Sequence, residues 1–551
     1  MDSAQIKKRY DFEVDYRKTL EDTYQVIEKF VVPFRGEFFK PMSMEQEVDW
    51  RRREIYDSTA IDSCQTLAAS MQGSLTSPSV KWFDLGYRDE QLKRNNAALR
   101  WLEDCGDIIY DTLQDSNFNV EASEFYLDLS SYGTGIIIED AKGEDYETKW
   151  EGLEFNASPI VDSYFEEDAE GNVYNFYRRL KWTPIQIIDR FGEENCPEYV
   201  KEAAAKEPKE KIELIYCIYT RPENKDADIS RSLPVDSRPY GCKFVFHKDA
   251  SQIGPTGGKY EMPSFVGRWK KVSGSKWGHS PSFVCLSDIL TLNELTEQTL
   301  EALGKVVDPS TIVTQRGLLS DLDLGRGGLT VARSKEDIWA YESKARFDVG
   351  ELKIDRLQRS IQKAFFVDQL ELKETPAMTA TEAQIRYELM QRLLGPTLGR
   401  LQTDFLDPMI SRTFNLLARG GQLPEPPPIV AEIQSEYDIL YTGPLPRAQR
   451  MQTVQAIQQY MGYIGALAEQ VPDVRDIPDP DAMAREIARL SGVPARLNKD
   501  ESVVKKDRKI KKQQQNAMMQ NELAKGRGEA QEALGKGQAQ LRSIGGNETG
   551  R

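Results

Sequence analysis

One stretch limits this chain more than any other: Thr379 to Leu417, TATEAQIRYELMQRLLGPTLGRLQTDFLDPMISRTFNLL. Ile385, Leu389, Leu393, Leu401, Phe405 and Phe414 recur at helical spacing and share one face. Glu382 follows Thr379 by three residues, the pattern of a helix start. At about 1.5 Å per residue such a helix spans roughly 50 Å. Gly395-Pro396 and Asp407-Pro408 are expected to bend or break it, because proline removes a backbone donor and clashes with the preceding turn. Few compact enzymes need an element of this length.

The segments before it set up the same theme. Ser287 to Leu303 (SDILTLNELTEQTLEAL) reads as a helix with Ser287 at its cap, Asp288 in its first turn and Gly304 just past its end. A strand-and-turn insert follows, holding STIVT, the turn-rich GRGG and LTVAR. A second helix begins at Asp348, with Glu351 at capping-box spacing and an apolar stripe of Ile354, Leu357, Ile361 and Phe365. The order is helix, small β insert, helix, then a break over 367–378.

Upstream, residues 1 to about 125 read as helical. Asp57 to Met71 places Ile61, Cys64, Leu67, Ala68 and Met71 at helical spacing, and Asn95 to Leu113 does the same with Leu99, Leu102, Ile109 and Leu113. Beyond Phe125 the period shortens. Phe176-Tyr177, IELIYCIY (Ile212 to Tyr219) and KFVF (Lys243 to Phe246) read as strands between Pro and Gly punctuation. Downstream, Gly420-Gly421 ends the long helix and PEPPP stiffens a connector into a short strand over Ile429 to Tyr441. Arg447 to Glu469 and Asp479 to Ser491 are helices. The remaining Gln-, Lys- and Gly-rich tail has two readings, a helix held only in an assembly or a disordered segment.

The 551 residues are enough for several packed domains. The formal net charge of −16 is unevenly spread. Lys499 to Arg551 holds 12 Lys/Arg against 7 Asp/Glu, leaving 60 against 81 in the first 498 residues. A protein that grips nucleic acid through phosphates usually carries a basic face, and this body does not. The tail's null interpretation is a solvated terminus.

The chemistry of an enzyme is missing. Cys64, Cys105, Cys196, Cys217, Cys242 and Cys285 are scattered and include no C-x-x-C pair, which fits buried thiols in a reducing compartment. His247 and His279 cannot build a His-rich metal centre. GPTGGK (Gly254 to Lys259) falls short of a phosphate loop, with Tyr260 where Ser or Thr would hold magnesium. GRGG lacks the dinucleotide fingerprint, and neither G-x-S-x-G nor H-E-x-x-H occurs. No catalytic residue, metal or cofactor is expected. No apolar run approaches a membrane span, and the first residues lack a signal peptide's apolar core, so a protein made in the cytoplasm is expected.

Several segments resemble the head-to-tail connector (portal) family of podoviruses. RWKKVSGSKWGHSPSFVCLSDILTLNELTEQTLEALGKVVDPS (Arg268 to Ser310) looks like that family's basic-aromatic strand, G-x-[SG]-P turn and stem helix with its Leu-Asn core. Thr379 to Leu417 resembles its long wing helix, including the Gly-Pro interruption, and YTGPLPRAQR (Tyr441 to Arg450) resembles the start of its crown. The likeness runs from about Asp11 to Lys512 as an ordered set of segments, and departs from the family in a short, glycine-rich insert.

The resemblance implies a mainly α, α+β portal fold. Its parts would be a mixed α/β wing (1–283), stem helix 1 (284–305), a small β clip (306–347) and stem helix 2 (348–366). A channel loop (367–378), the long bent wing helix with a return strand (379–446) and a helical crown with the basic tail (447–551) would follow. It implies a dodecameric ring at a unique capsid vertex of the virion, assembled in the host cytoplasm. The ring would pass double-stranded DNA non-specifically, dock the packaging terminase, bind tail adaptor proteins and meet capsid and scaffolding proteins. Asp368, Glu371, Lys373 and Glu374 would lie on the channel loop, and Lys353, Arg356, Arg359 and Lys363 on the polar face of stem helix 2. The basic four have two readings, solvated helix charges or weak steering of DNA. The competing functional reading is another virion structural protein, such as a tail-tube or adaptor subunit.

Overall fold

The computed structural model describes residues 1–35, 54–93, 95–143, 147, 149–224, 227, 232–307, 311–314, 331, 334, 338–340, 347–370, 394–433, 437–441, 444–468, 471–491, 493, 497 and 501–544. Two compact units divide the chain: Met1–Asp84 with Cys105–Pro424 and Ile439–Gln449, and Leu85–Asp104 with Glu425–Asp438 and Arg450–Arg551.

The larger unit opens with α1 (Ser3–Phe30), whose start is fixed by a reciprocal capping box between Asp2 and Gln5. α2 (Thr59–Leu75) and α4 (Phe118–Ser131) follow, while β1 (Phe83–Tyr87) and α3 (Asn96–Asp115), between them in the chain, are divided between the two units. The periodic stretches read from the sequence fall on α2 and α3. Next come β2 (Thr134–Ala141), β3 (Leu153–Ala157), β4 (Ser163–Glu167), β5 (Val173–Trp182), α5 (Pro184–Phe191) and α6 (Glu198–Lys206). β6 (Ile212–Thr220), β7 (Tyr240–Phe246), β8 (Gln252–Lys259) and β9 (Ser264–Arg268) complete the strands of this region.

They form two antiparallel sheets, ordered β4-β5-β6-β7-β8 and β3-β2-β9. Successive side chains leave a strand on opposite faces. Ile215, Cys217 and Tyr219 therefore pack with Ile6 and Tyr10 of α1, while Leu214 packs with Ile187 of α5 and Val200 of α6. The IELIYCIY run is apolar from Leu214 onward because both faces are covered there, with Glu213 the one charged residue near its start. GPTGGK lies in β8, not in a loop that could cradle phosphate. Its Gly258 is needed for close packing, since an added Cβ would sit 2.2 Å from the Val235 carbonyl.

α7 spans Pro281–Val307 and so extends past both expected ends. Ser287 lies inside it, accepting from Thr291 through its backbone carbonyl, and Gly304 lies inside its last turn. The true start signal is Pro281, since proline is well suited to a first helical turn. β10 (Thr311–Val313) and β11 (Ile338–Ala340) form the insert's hairpin, pairing Ile312 with Trp339. Of the LTVAR stretch Val331 alone is described, and it carries no strand. α8 (Phe347–Ala364) ends two residues before the expected boundary, at a Phe365-Phe366 turn in which Phe366 adopts φ 60°.

The long helix departs most from expectation. Residues 394–401 are helical, Gln402–Leu406 form a π-turn, and α9 (Asp407–Arg419) continues directly. Pro408 does not break it, and Pro396 lies within the helical run 394–401. The Asp407 amide donates to the Gln402 carbonyl, five residues back, so the ladder widens where Pro408 supplies no donor. Residues 379–393 lie outside the described set. Past Gly420, Pro428–Ile433 is a helical turn, and the return strand β12 is confined to Tyr437–Tyr441.

The smaller unit is built mainly of helices. α10 (Pro444–Ala468) starts at the paired prolines of YTGPLPRAQR, and α11 (Pro480–Leu490) and α12 (Glu501–Ile544) follow. The tail is a helix of 44 residues. Among the described residues no helix is long and apolar enough to cross a membrane.

In the larger unit α9 is fixed to the smaller sheet by a buried clamp. Thr413 Oγ1 donates to Glu139 at 2.6 Å, and Arg412 donates to the Glu139 carbonyl at 3.3 Å and to Glu261 and Asp140. Burial pushes the Glu139 carboxyl up to about 8 from the usual 4.5, against the opposing pull of Arg412 and Thr413. Between those values the folded state keeps a proton that the unfolded state releases. The contribution is therefore full below about pH 4.5 and lost as pH rises through about 8. Denaturant titrations at pH 5 to 8.5 should show stability falling with pH, and Glu139→Gln should flatten that dependence. Parallel curves for the two proteins would contradict the assignment.

Candidate functional site

The site is the α7–α8 pair, and its foundation is the segment Arg268 to Ser282. Arg268, at the end of β9, forms ion pairs with Glu167 and, at 3.0 Å, with Asp404 of the π-turn. Lys271 reaches Glu167 at 2.6 Å. The basic-aromatic strand thus ties the larger sheet to the long helix. Trp277 is fully buried against Phe165. The Gly278 amide donates to Thr134 Oγ1 at 2.9 Å, and an added Cβ there would lie 2.0 Å from the Gly133 carbonyl. Ser280 Oγ donates to the Ser131 carbonyl at 2.5 Å. WGHSP is accordingly a backbone-to-backbone seat from which α7 departs.

The two helices run antiparallel, as two cross-contacts show. Ser360 Oγ donates to Asp288 at 2.8 Å near the base, and Gly350 meets Thr299 further out. A third element braces them. Asn293 accepts from the Tyr56 amide at 2.8 Å and donates to the Glu54 carbonyl at 3.0 Å. Tyr56 Oη donates to Glu297 at 2.9 Å, and Gln358 donates to Asp57 at 2.8 Å. These partners were not legible in the sequence. Only the Leu-Asn core of the first helix hinted that a polar residue beside an apolar one had a fixed bond to make.

Packing weakens along the pair. At the base Cys285, Ile289, Leu292 and Ile361 are buried. Further along α7, Leu300, Leu303 and Val307 are 52%, 48% and 79% exposed, and they share one face at helical spacing. On α8, Leu352 is 73% exposed. These apolar groups have no cover within the described residues.

The four basic candidates, Lys353, Arg356, Arg359 and Lys363, are all exposed on α8, opposite its buried Ile361. α7 carries Asp288, Glu294, Glu297 and Glu301 against Lys305, whereas α8 mixes its four cations with Asp348, Glu351 and Asp355. Of the four channel-loop candidates, Asp368 is exposed in the short helical turn Val367–Leu370. Glu371, Lys373 and Glu374 lie outside the described residues.

Nothing in the described residues gathers three or more His, Cys, Asp or Glu side chains as a metal site. His279 stacks near Phe283, and burial lowers its pKa from the usual value. His247 lies edge-on to Tyr10 with Asp11 at 3.5 Å. All six cysteines are free thiols, five of them buried.

Residues 3–498 match the family described as bacteriophage head to tail connecting protein. The chain is 25% identical over 496 residues to the "Probable portal protein" of Bordetella phage BPP-1, covering 87% of this chain and 86% of that one. It is 24% identical over 424 residues to the "Portal protein" of Salmonella phage epsilon15, covering 75% and 74%.

Two substitutions test the foundation. Asn293→Ala leaves the Tyr56 amide and Glu54 carbonyl without their partner and should cost about 1–3 kcal/mol. Faster hydrogen exchange at residues 54–57 should accompany it; unchanged exchange would show that the brace does not depend on Asn293. Gly278→Ala forces two backbones apart and should cost about 4 kcal/mol or prevent folding, read by thermal unfolding.

Proposed function

The chain belongs to the bacteriophage head-to-tail connecting protein family and functions as a phage portal, and on that premise we propose that it works as one subunit of a closed ring of identical copies around a DNA channel. It is a virion component whose assembly involves capsid, tail and packaging partners. The observation that carries the ring is the stripe of Leu300, Leu303 and Val307 on α7 with Leu352 on α8, which no described residue covers. Burying such side chains is worth about 1.5–3 kcal/mol each. A heterologous contact repeated around a rotation axis covers every copy's stripe and closes without leaving an open end. Twelve copies are the expected number.

Within that ring α7 and α8 act as the stem and the β10–β11 hairpin as part of the clip. The clip docks the packaging terminase and later the tail adaptors, while α10 and the following helices form the crown that meets scaffolding and interior DNA. The channel loop begins at the Val367–Leu370 turn and carries Asp368, Glu371, Lys373 and Glu374.

The electrostatics support a conduit. Every phosphate contact strengthens binding, and many of them would hold DNA too tightly to slide. A body with 81 acidic against 60 basic residues in its first 498 resists that, and Lys353, Arg356, Arg359 and Lys363 supply a few weak steering contacts. The role is structural, with no catalytic step assigned to the chain.

Single-particle imaging of the purified protein should show a turbine-shaped ring with a central hole. Particles that remain compact monomers would overturn the reading. Substituting Lys353 and Lys363 together by Gln should change DNA packaging yield while the ring persists; untouched packaging and ejection would remove the steering role.

A further inference from the structure

The eight residues Lys505 to Lys512 (KKDRKIKK) hold six Lys/Arg and one Asp, the densest charge in an otherwise acidic chain. They lie beyond residue 498, where the family match ends. They occupy the second and third turns of α12.

Two features distinguish this run from an ordinary solvated terminus. First, its start is fixed. Arg508 makes a bidentate ion pair with Asp481 of α11, at 2.5 and 2.7 Å, so the basic turns are held against a neighbouring helix. Second, that contact uses one cation and leaves Lys506, Lys509, Lys511 and Lys512 exposed around the helix. Lys506, Lys509 and Lys512 follow one another at three-residue steps, which places them on one broad face.

We propose that this basic turn of α12 is a binding surface for the phosphate backbone of double-stranded DNA. From Lys505 to Lys512 the helix rises about 10 Å, and B-form DNA presents about six phosphate charges over that length. Five of its six exposed cations are lysines, flexible point charges that meet phosphate without reading bases. Gln513, Gln514, Gln515 and Asn516 follow as neutral donors, and no aromatic side chain stands ready to stack on a base. The chemistry is that of sequence-independent duplex binding, where the acidic body would repel the same polymer. The inference rests on the portal reading for the presence of duplex DNA, but its test does not.

The test uses the full-length protein and a variant carrying Lys506→Gln, Lys509→Gln, Lys511→Gln and Lys512→Gln. Glutamine and lysine have similar helix propensity, so α12 should keep its helicity. Fluorescence anisotropy with a random-sequence 40-base-pair duplex is measured over a range of salt concentrations, alongside circular dichroism and particle mass. The unaltered protein should bind the duplex with strong salt dependence. The variant should bind at least about tenfold more weakly, with a log–log salt slope shallower by about 3, at equal helicity and mass. Equal affinity of the two proteins for duplex would overturn the proposal, as would stronger binding of the unaltered protein to single-stranded RNA or to anionic vesicles. A wild-type mass of one subunit would instead undo the ring reading while leaving this result intact.

Discussion

Among the described residues the α7–α8 pair is secured at one end and bare at the other, and most of what the larger unit does follows from that asymmetry. At the base, the chain is locked by contacts that leave no room for adjustment: Gly278 against Gly133, Trp277 beneath Phe165, and Arg268 bridging Glu167 and Asp404. Toward the hairpin, Leu300, Leu303 and Val307 face outward. A helix pair whose apolar surface is only partly covered by the described residues gains stability from any further surface that covers it. In the proposed ring the rigid base would aim the pair, so that each copy offers its stripe at the same angle to the next.

The polar layout complements this. The brace from Glu54 to Asp57 reaches both helices through Asn293, Glu297 and Gln358, and so resists their sliding apart. Charge is divided in a way that suits a passage. Acid dominates the body, a few cations line α8, and the densest positive charge is set apart in the smaller unit on α12. A polymer carrying one charge per about 1.7 Å of axis moves freely only where attraction is sparse.

Much of this was legible in the sequence where burial and periodicity agree. The helix, insert, helix order, the strands of IELIYCIY and KFVF, and the Leu401 and Phe405 part of the apolar stripe appear because a buried face imposes its period on the residues that form it. Boundaries were less legible. Ser287 and Gly304 resemble caps, yet α7 runs through both, since packing at Cys285 and Ile289 on one side and the antiparallel partner on the other sustain the helix. Pro408 reads as a break, and a π-turn absorbs it instead. The polar contacts of Asn293 and the clamp around Glu139 join residues far apart in the chain, for which local pattern carries no signal. The four basic residues of α8 are exposed, as an amphipathic helix requires.

The central claim is that identical neighbours cover the stem's apolar stripe. The most direct measurement is the particle mass of full-length protein carrying Leu300→Glu and Leu303→Glu, compared with the unaltered chain at equal concentration. The account predicts a closed ring for the unaltered chain and folded single subunits, with unchanged helicity, for the doubly charged one. A ring of full mass from the substituted protein would contradict it.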